Sequence, residues 1–236
     1  MQACFNNQPS PSNMSEASVT SLAYQKNKEC HLPGLKSDQV TKYYNSWSSS
    51  YDKLMVPGTY NGPQIAFDET LSHIPLHLRS TCRVLDVAAG TGQLGTMLAQ
   101  AGFRFLDAVE PSPGMLQILR EKGVYCKIYQ DYMGNAVCET KIPRGTYDVV
   151  AVVGGFGEGH LPVTSVDDMI TATKPGGLVV IVMRHEYLTI VDAYRDKLEP
   201  HLASLEERNY WTRVTRKVVP NYFCGKDGFV LTYKVL

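Results

Sequence analysis

From Arg83 to Met183 the chain alternates short, continuous apolar runs with amphipathic stretches. Apolar runs without polar alternation are typical of strands that are buried on both faces of a sheet. Helical stretches between such strands imply βαβ units, and therefore a parallel sheet with helices on both of its faces. The predicted strands are residues 83–88, 105–109, 125–129, 147–153 and 178–183, and the predicted helices between them are residues 92–101, 113–122 and 163–173.

The N-terminal part of the chain has a different pattern. Residues 1–36 are rich in Asn, Ser, Gln and Pro and hold few large apolar side chains, so we expect a mostly flexible leader. A helix is predicted to begin at Ser37, whose side chain can cap it, and a second helix follows a Pro-Gly break. These two helices are predicted to span residues 37–77.

Beyond the fifth strand the strand–helix rhythm ends. A long helical stretch is predicted over residues 187–208, with an interruption near Pro200. Two strand candidates follow at residues 211–219 and 229–235, and the segment between them is rich in turn residues. We therefore predict a doubly wound α/β domain over residues 37–236 that ends in an antiparallel hairpin.

Composition and charge narrow the class of partner. The chain has 236 residues with 23 Lys and Arg against 23 Asp and Glu, so no basic surplus favours nucleic acid as a partner. No apolar run approaches the length of a membrane span, so no membrane partner is expected. The six cysteines form no CxxC pair and predict no metal site, and buried thiols at Cys82 and Cys126 suggest a reducing, cytoplasmic setting.

The first strand runs into a glycine-rich turn, Gly90-x-Gly92-x-x-Gly95, from which a helix begins. Glycine allows a sharp bend and close approach of a ligand, and the helix N-terminus presents unpaired N–H groups. This spacing also matches the dinucleotide fingerprint, so by itself it is a weak signal. Asp86 separates the two interpretations, because its carboxylate repels a pyrophosphate and attracts the ammonium of a methionine group. The alternative is that Asp86 only caps the turn.

Acidic residues also follow the next two strands. Glu110 lies twenty positions after Gly90, where a carboxylate can accept hydrogen bonds from two ribose hydroxyls of either nucleotide class. The alternative interpretation is that Glu110 is only an exposed acid ahead of a proline turn. Asp131 is placed to accept from an adenine amino group and Met133 to cover the ring, although a polar loop with a core methionine explains this pattern nearly as well.

The loop after the fourth strand has four glycines in the six positions 154–159, which favours close approach of the backbone to a ligand. His160 on this loop and His185 after the fifth strand are candidates for a general base, although single histidines are more often structural. Arg184 can bind a substrate carboxylate as a fork or can pair with a surface acid.

Taken together, Asp86-x-Ala88-x-Gly90-x-Gly92, Glu110, Asp131 and Lys174-Pro175-Gly176-Gly177 resemble the class I, seven-stranded S-adenosylmethionine-dependent methyltransferases over roughly residues 40–236. Ala88 departs from the pattern, since it stands where that family usually has its first loop glycine. The stretch Tyr43-Tyr44-x-x-Trp47-x-x-x-Tyr51-Asp52, with the loop at 154–160, further resembles the methyltransferase-like group named after the Williams–Beuren syndrome chromosome region.

The resemblance implies a mostly parallel seven-stranded sheet with its last strand antiparallel, an N-terminal helical lid, and S-adenosylmethionine as the cofactor, converted to S-adenosylhomocysteine. The implied cofactor-binding residues are Asp86, Ala88, Gly90, Gly92, Glu110, Met115, Asp131, Tyr132, Gly154, Tyr43 and Tyr51. The candidate substrate-binding residues are Tyr44, Phe156, Glu158 and Arg184.

The acceptor of the methyl group is expected to be a small molecule, methylated at nitrogen or oxygen rather than carbon, and the chain to be a monomer or homodimer. Three other hypotheses stay open. The chain can be an NAD(P)-binding oxidoreductase, a cofactor-binding scaffold without activity, or a methyltransferase that acts on protein.

Overall fold

A computed structural model describes residues 15–134 and 141–236. In this part of the chain the helices are α1 (Glu16–Glu29), α2 (Ser37–Leu54), α3 (Gly62–His73), α4 (Leu76–Arg79), α5 (Gln93–Gln100), α6 (Pro113–Lys122), α7 (Ser165–Ala172), α8 (Tyr187–Ile190) and α9 (Leu198–Glu207). The strands are β1 (Arg83–Val87), β2 (Phe105–Val109), β3 (Lys127–Tyr129), β4 (Tyr147–Val153), β5 (Thr173–Arg184), β6 (Trp211–Phe223) and β7 (Lys226–Val235).

The seven strands form one sheet in the order β3-β2-β1-β4-β5-β7-β6. β1 to β5 are parallel, and β7 runs antiparallel to both of its neighbours, β5 and β6. The predicted fold is therefore confirmed. The order reverses between β1 and β4, and in open α/β sheets a ligand crevice forms outside the carboxyl ends of the strands at such a point.

Both faces of the sheet are buried, as the apolar runs predicted. On β4, Val150 and Val152 face one core cluster, while Val149 and Ala151 face the other, and all four are fully buried. Successive side chains of a strand point to opposite faces, so an unbroken apolar run supplies both cores at once. On β4 the polar groups, those of Tyr147 and Asp148, lie at the start of the strand.

Helix α1 lies within the segment predicted to be a flexible leader, and that prediction is wrong for Glu16–Glu29. Ala23 is fully buried, and Val19 and Leu22 pack on the core cluster that α2 and α3 also cover. These few apolar side chains suffice because they fall on one side of the helix and meet an existing core. The part of the predicted leader over residues 1–14, which includes Cys4, lies outside the described residues, as does Cys138.

Several boundaries near the C-terminus also differ from prediction. The long helical stretch breaks at residues 191–197, and Pro200 lies in the first turn of α9, where its missing N–H is not needed. The hairpin strands extend further into the predicted turn segment, because Tyr222 and Phe223 pair with the chain at residues 60–61. No helix within the described ranges is long and apolar enough to cross a membrane.

The third strand is shorter than predicted, and Tyr125 lies before it, turned toward β1. Cys126 is exposed rather than buried, whereas Cys82 is buried as predicted. The segment 174–177 loops out between two paired positions of β5, Thr173 opposite Tyr147 and Leu178 opposite Val149.

Candidate active site

A cavity of about 510 Å³ lies at the carboxyl ends of β1, β2 and β4, with α2 along one side. This volume is within the range of small-molecule and cofactor sites. It brings together many of the residues singled out from the sequence. Those that line it are Tyr44, Tyr51, Ala88, Gly90, Glu110, Met115, Asp131, Tyr132, Gly154 and His160.

Glu110 is held in place at the end of β2. Its Oε2 accepts the Gly90 N–H at 2.9 Å and its Oε1 accepts the Ser112 N–H at 2.8 Å. Burial raises the pKa of this carboxyl to about 7, and the nearby Asp86 carboxylate adds to the rise. Each oxygen retains a lone pair for a ligand, and the space where a side chain at Gly90 would lie is open.

Asp86 does not line the cavity, in contrast to its expected role at the methionine end. Its Oδ2 accepts the Tyr125 hydroxyl at 2.7 Å, and burial raises its pKa to about 7. The Tyr125 ring reaches Asp86 through the space left by Gly92 and Gly95, where an added Cβ would overlap with it. These two glycines of the fingerprint spacing thus accommodate a tyrosine of the protein itself, and Gly92 also lies outside the cavity lining.

Gly95→Ala is expected to lower the free energy of unfolding by about 2 kcal/mol, because the new methyl group displaces Tyr125 from Asp86. Urea denaturation measures the change. Gln100→Ala, an exposed position on the same helix, is the control and should have little effect. In a Tyr125→Ala background the same Gly95→Ala change should be neutral or stabilising, since alanine is favoured in helices. A similar loss in both backgrounds would show that Tyr125 is not the cause.

The loop after β3 closes another side of the cavity. Asp131 lines it and accepts the N–H of Tyr132 at 2.9 Å, and the Tyr132 hydroxyl is hydrogen-bonded to Thr41 on α2 at 2.7 Å. Met115 and Met133 are buried and line the same region. The loop is therefore tied to α2, and the lining here combines one carboxylate with two thioether side chains.

A histidine and a tyrosine form a pair where the loop after β4 meets α2. His160 Nδ1 lies 2.7 Å from the Glu158 carbonyl oxygen, which can only accept, so Nδ1 carries the proton. Nε2 therefore accepts the Tyr44 hydroxyl, 2.9 Å away. Burial lowers the pKa of His160 to about 4 and raises the pKa of Tyr44, so both side chains are neutral at physiological pH.

A smaller cavity of about 30 Å³ shares Tyr44, Tyr51 and Gly154 with the large one. The predicted substrate residues Phe156 and Arg184 line this smaller cavity, not the large one. Gly154 has a φ of +69°, and a Cβ there would lie 2.5 Å from the Tyr60 hydroxyl and 3.2 Å from the Tyr222 hydroxyl. Glycine is therefore needed at this position, which lines both cavities.

Besides Asp86 and Gly92, three further candidates line neither cavity. Tyr43 is half-buried and packs on the core cluster beneath α2. His185 lies beside Phe229, with ring centroids 5.5 Å apart, because its backbone N–H pairs with Asp227 at the hairpin. Glu158 Oε1 accepts the Gly34 N–H at 3.1 Å and so ties the loop after β4 to the segment between α1 and α2.

Two residues of α2 that the sequence did not single out for a role hold the helix over the cavity. Asn45 Oδ1 accepts the Ser112 hydroxyl at 2.7 Å and the Gly114 N–H at 2.8 Å. Asp52 accepts the Thr91 hydroxyl at 2.6 Å and forms an ion pair with Lys122 at 2.8 Å. Asn45 joins α2 to the start of α6, and Asp52 joins α2 to the turn before α5 and to the end of α6. Asp52 belonged to a motif that carried the resemblance, whereas Asn45 had no signal.

His31, Tyr60 and Tyr222 were also not predicted, and all three line the smaller cavity. The His31 ring stacks on His160 with centroids 4.4 Å apart, although His31 lies in the segment predicted to be a flexible leader. Tyr222 lies in the predicted turn segment. The predicted leader and the predicted turn segment carry no site motif, so no sequence signal marked these residues.

Comparison with known proteins indicates a methyltransferase. A family model described as a methyltransferase domain matches residues 84–177. Human methyltransferase-like protein 27 is 32% identical over 173 residues, which cover 73% of this chain and 68% of the relative. A demethylmenaquinone methyltransferase from Renibacterium salmoninarum is 29% identical over 132 residues, or 54% of each chain.

Among solved structures, the [4+2]-cyclase SpnF aligns with a TM-score of 0.64 at 15% identity, covering 87% of this chain and 98% of that one. At such identity the likeness concerns the fold alone. The human relative matches more than two thirds of both chains, and the mostly parallel seven-stranded sheet of this chain agrees with a methyltransferase fold. The chain therefore belongs to the class I S-adenosylmethionine-dependent methyltransferases.

Proposed function

We propose that this methyltransferase acts on a nitrogen or oxygen atom of a small-molecule acceptor that binds beside Tyr44 and His160. The observation that carries the proposal is the neutral Tyr44–His160 pair in the wall of the large cavity. Glu110 lies at the end of β2, whereas His160 lies on the loop after β4, two strands away in the sheet order, and Tyr44 lies on α2. One cavity therefore has room for a nucleoside against Glu110 and for an acceptor against the pair.

The lining residues fit S-adenosylmethionine, which would supply a methyl group already activated on a sulfonium sulfur. We propose that Glu110 accepts from the ribose hydroxyls, since both of its oxygens are oriented by backbone N–H groups. Asp131, Tyr132 and Met115 would hold the adenine, and Gly90 and Ala88 the methionine part. Asp86, Gly92 and Tyr43 would support this site from behind the lining rather than by contact.

The proposed chemistry of the protein itself is the removal of one proton. The acceptor atom would lose one proton on methylation, and in this proposal that proton passes to the Tyr44 oxygen. The Tyr44 proton passes at the same time to His160 Nε2, which leaves tyrosine neutral and histidine as imidazolium. The carbonyl of Glu158 keeps the histidine in the tautomer that this transfer needs.

Affinity for the cofactor is expected to depend on pH through Glu110. The charged carboxylate is the form that accepts from two hydroxyls, so binding favours deprotonation. Because burial raises the pKa of Glu110 to about 7, affinity should be full above that pH and fall by up to about tenfold per pH unit below it. Calorimetry with S-adenosylhomocysteine tests this. In Glu110→Gln the fall of affinity at low pH should disappear. If that fall persists, the titrating group is a different one, such as Asp86.

The function itself is tested by turnover with a donor that carries a labelled methyl group. Acceptor panels of amines, phenols and carboxylic acids, with a demethylmenaquinone added because one relative is named for it, are analysed by mass spectrometry. Label on nitrogen or oxygen of a small molecule is the expected result. Label confined to lysate protein, label on carbon, or tight cofactor binding with no turnover would each overturn the proposal.

A further inference from the structure

The smaller cavity contains a buried cation, Arg184, at the end of β5. Its residue is 8% exposed, and its guanidinium carbon lies 4.9 Å from the centroid of the Tyr187 ring and 4.7 Å from that of Phe223. These two rings keep the guanidinium in one position. Among the described residues that line this cavity, Arg184 is the one with a permanent charge, and burial keeps His31 neutral by lowering its pKa.

The positive charge of Arg184 is only partly compensated. Glu186 is its carboxylate partner, at 3.3 Å, and this acid also pairs with Lys226 at 3.1 Å, so one negative charge serves two cations. The other partner of the guanidinium is the neutral amide oxygen of Asn27, at 2.7 Å. Nε is buried without any acceptor in the described part of the chain. A buried donor without a partner is unfavourable, so a further acceptor would stabilise this site.

The size and walls of the cavity restrict what this acceptor can be. A volume of about 30 Å³ holds one or two waters or a group as small as a carboxylate. Tyr60 and Tyr222 contribute hydroxyls, and burial raises the pKa of both, so they are protonated donors. The cavity shares Gly154 and Tyr44 with the lining of the large one, next to the proposed reaction site.

We propose that the methyl acceptor carries a carboxylate, which occupies the smaller cavity against Arg184. This inference rests on the proposed function, because it places the reactive nitrogen or oxygen of the same molecule beside Tyr44. The carboxylate accepts from the free guanidinium N–H groups and from the tyrosine hydroxyls, and Arg184 thereby selects acidic acceptors over neutral ones of the same shape.

Binding of matched probes tests this without the natural acceptor. The enzyme saturated with S-adenosylhomocysteine is titrated with 4-aminobenzoate and phenylacetate, and with the corresponding amides, 4-aminobenzamide and phenylacetamide. The acids are expected to bind at least about tenfold more tightly than the amides. Arg184→Gln should abolish this difference, whereas Arg208→Gln, at an exposed arginine at the C-terminal end of α9, should preserve it.

Asn27→Asp keeps the site testable even if Arg184→Gln does not fold. It places a carboxylate of nearly identical shape against the guanidinium, so the fold should be retained while the acids lose their advantage. Equal binding of acids and amides by the unmodified enzyme, or acid binding that neither variant weakens, would overturn the inference. If neutral acceptors were methylated as fast as acidic ones, the carboxylate inference would fail while the proposed function stands. If acids bound selectively without any methylation, the proposed function would fail while the carboxylate site stands.

Discussion

Tyr44→Phe is expected to lower kcat by about 10²–10³-fold while the affinity for S-adenosylmethionine changes by less than about threefold. The change removes a single hydroxyl, the one that donates to His160 Nε2. Without it the acceptor proton has no path to the imidazole, whose second nitrogen is bound to the Glu158 carbonyl. Single-turnover kinetics with a confirmed acceptor measures the effect, and calorimetry measures the cofactor affinity.

Two comparisons show whether Tyr44 and His160 act as a unit. Tyr43→Phe, the neighbouring tyrosine on the same helix and outside the cavity lining, should keep kcat within about threefold. His160→Ala should lower kcat about as much as Tyr44→Phe, and the double variant should be no slower than either, since groups in one relay are not additive. Independent, multiplicative losses would show that the two residues serve separate purposes.

Glu110→Ala is expected to weaken binding of S-adenosylmethionine by about 10²-fold. The carboxylate would accept hydrogen bonds from two ribose hydroxyls. Hydrogen bonds to a charged group contribute about 1.5–3 kcal/mol each. Part of that contribution remains in the variant because water reaches the emptied position, so we expect the lower end of the sum. Calorimetry with S-adenosylmethionine and S-adenosylhomocysteine measures the loss.

The fold should survive this change, because Gly90 N–H and Ser112 N–H can bond to the water that replaces the carboxylate. Thermal unfolding without ligand checks this point, with Glu121→Ala on the exposed side of α6 as the matched control. Unchanged affinity in Glu110→Ala would remove Glu110 from the ribose and with it the proposed orientation of the cofactor.

The sheet could be predicted well because its signals are local. The apolar run of β4 was assigned with its observed bounds, and so was α6, which begins at Pro113 after the capping Ser112. Glu110 could be predicted from its spacing to Gly90, since both end parallel strands that are neighbours. The position of Asp86 on β1 was also predicted correctly. Its hydrogen-bond partner, Tyr125, was not foreseen.

The proposed catalytic pair could not be predicted in the same way. His160 was one of two histidine candidates, and nothing along the chain distinguished it from His185. The distinction came from Tyr44, 116 positions away, whose hydroxyl meets His160 only when α2 docks over the sheet. His31 stacks on His160 from a segment whose composition alone indicates disorder.

By itself the sequence determined the parallel sheet, the glycine turn and the carboxylate that follows β2, because hydrophobic periodicity and short spacings report burial and strand ends directly. The tertiary structure alone decided that Tyr125 fills the space beside Gly92 and Gly95, that Tyr44 pairs with His160, and that Arg184 lies buried among aromatic rings. Such contacts join residues far apart in the chain, and they depend on how whole helices dock, which no local pattern records.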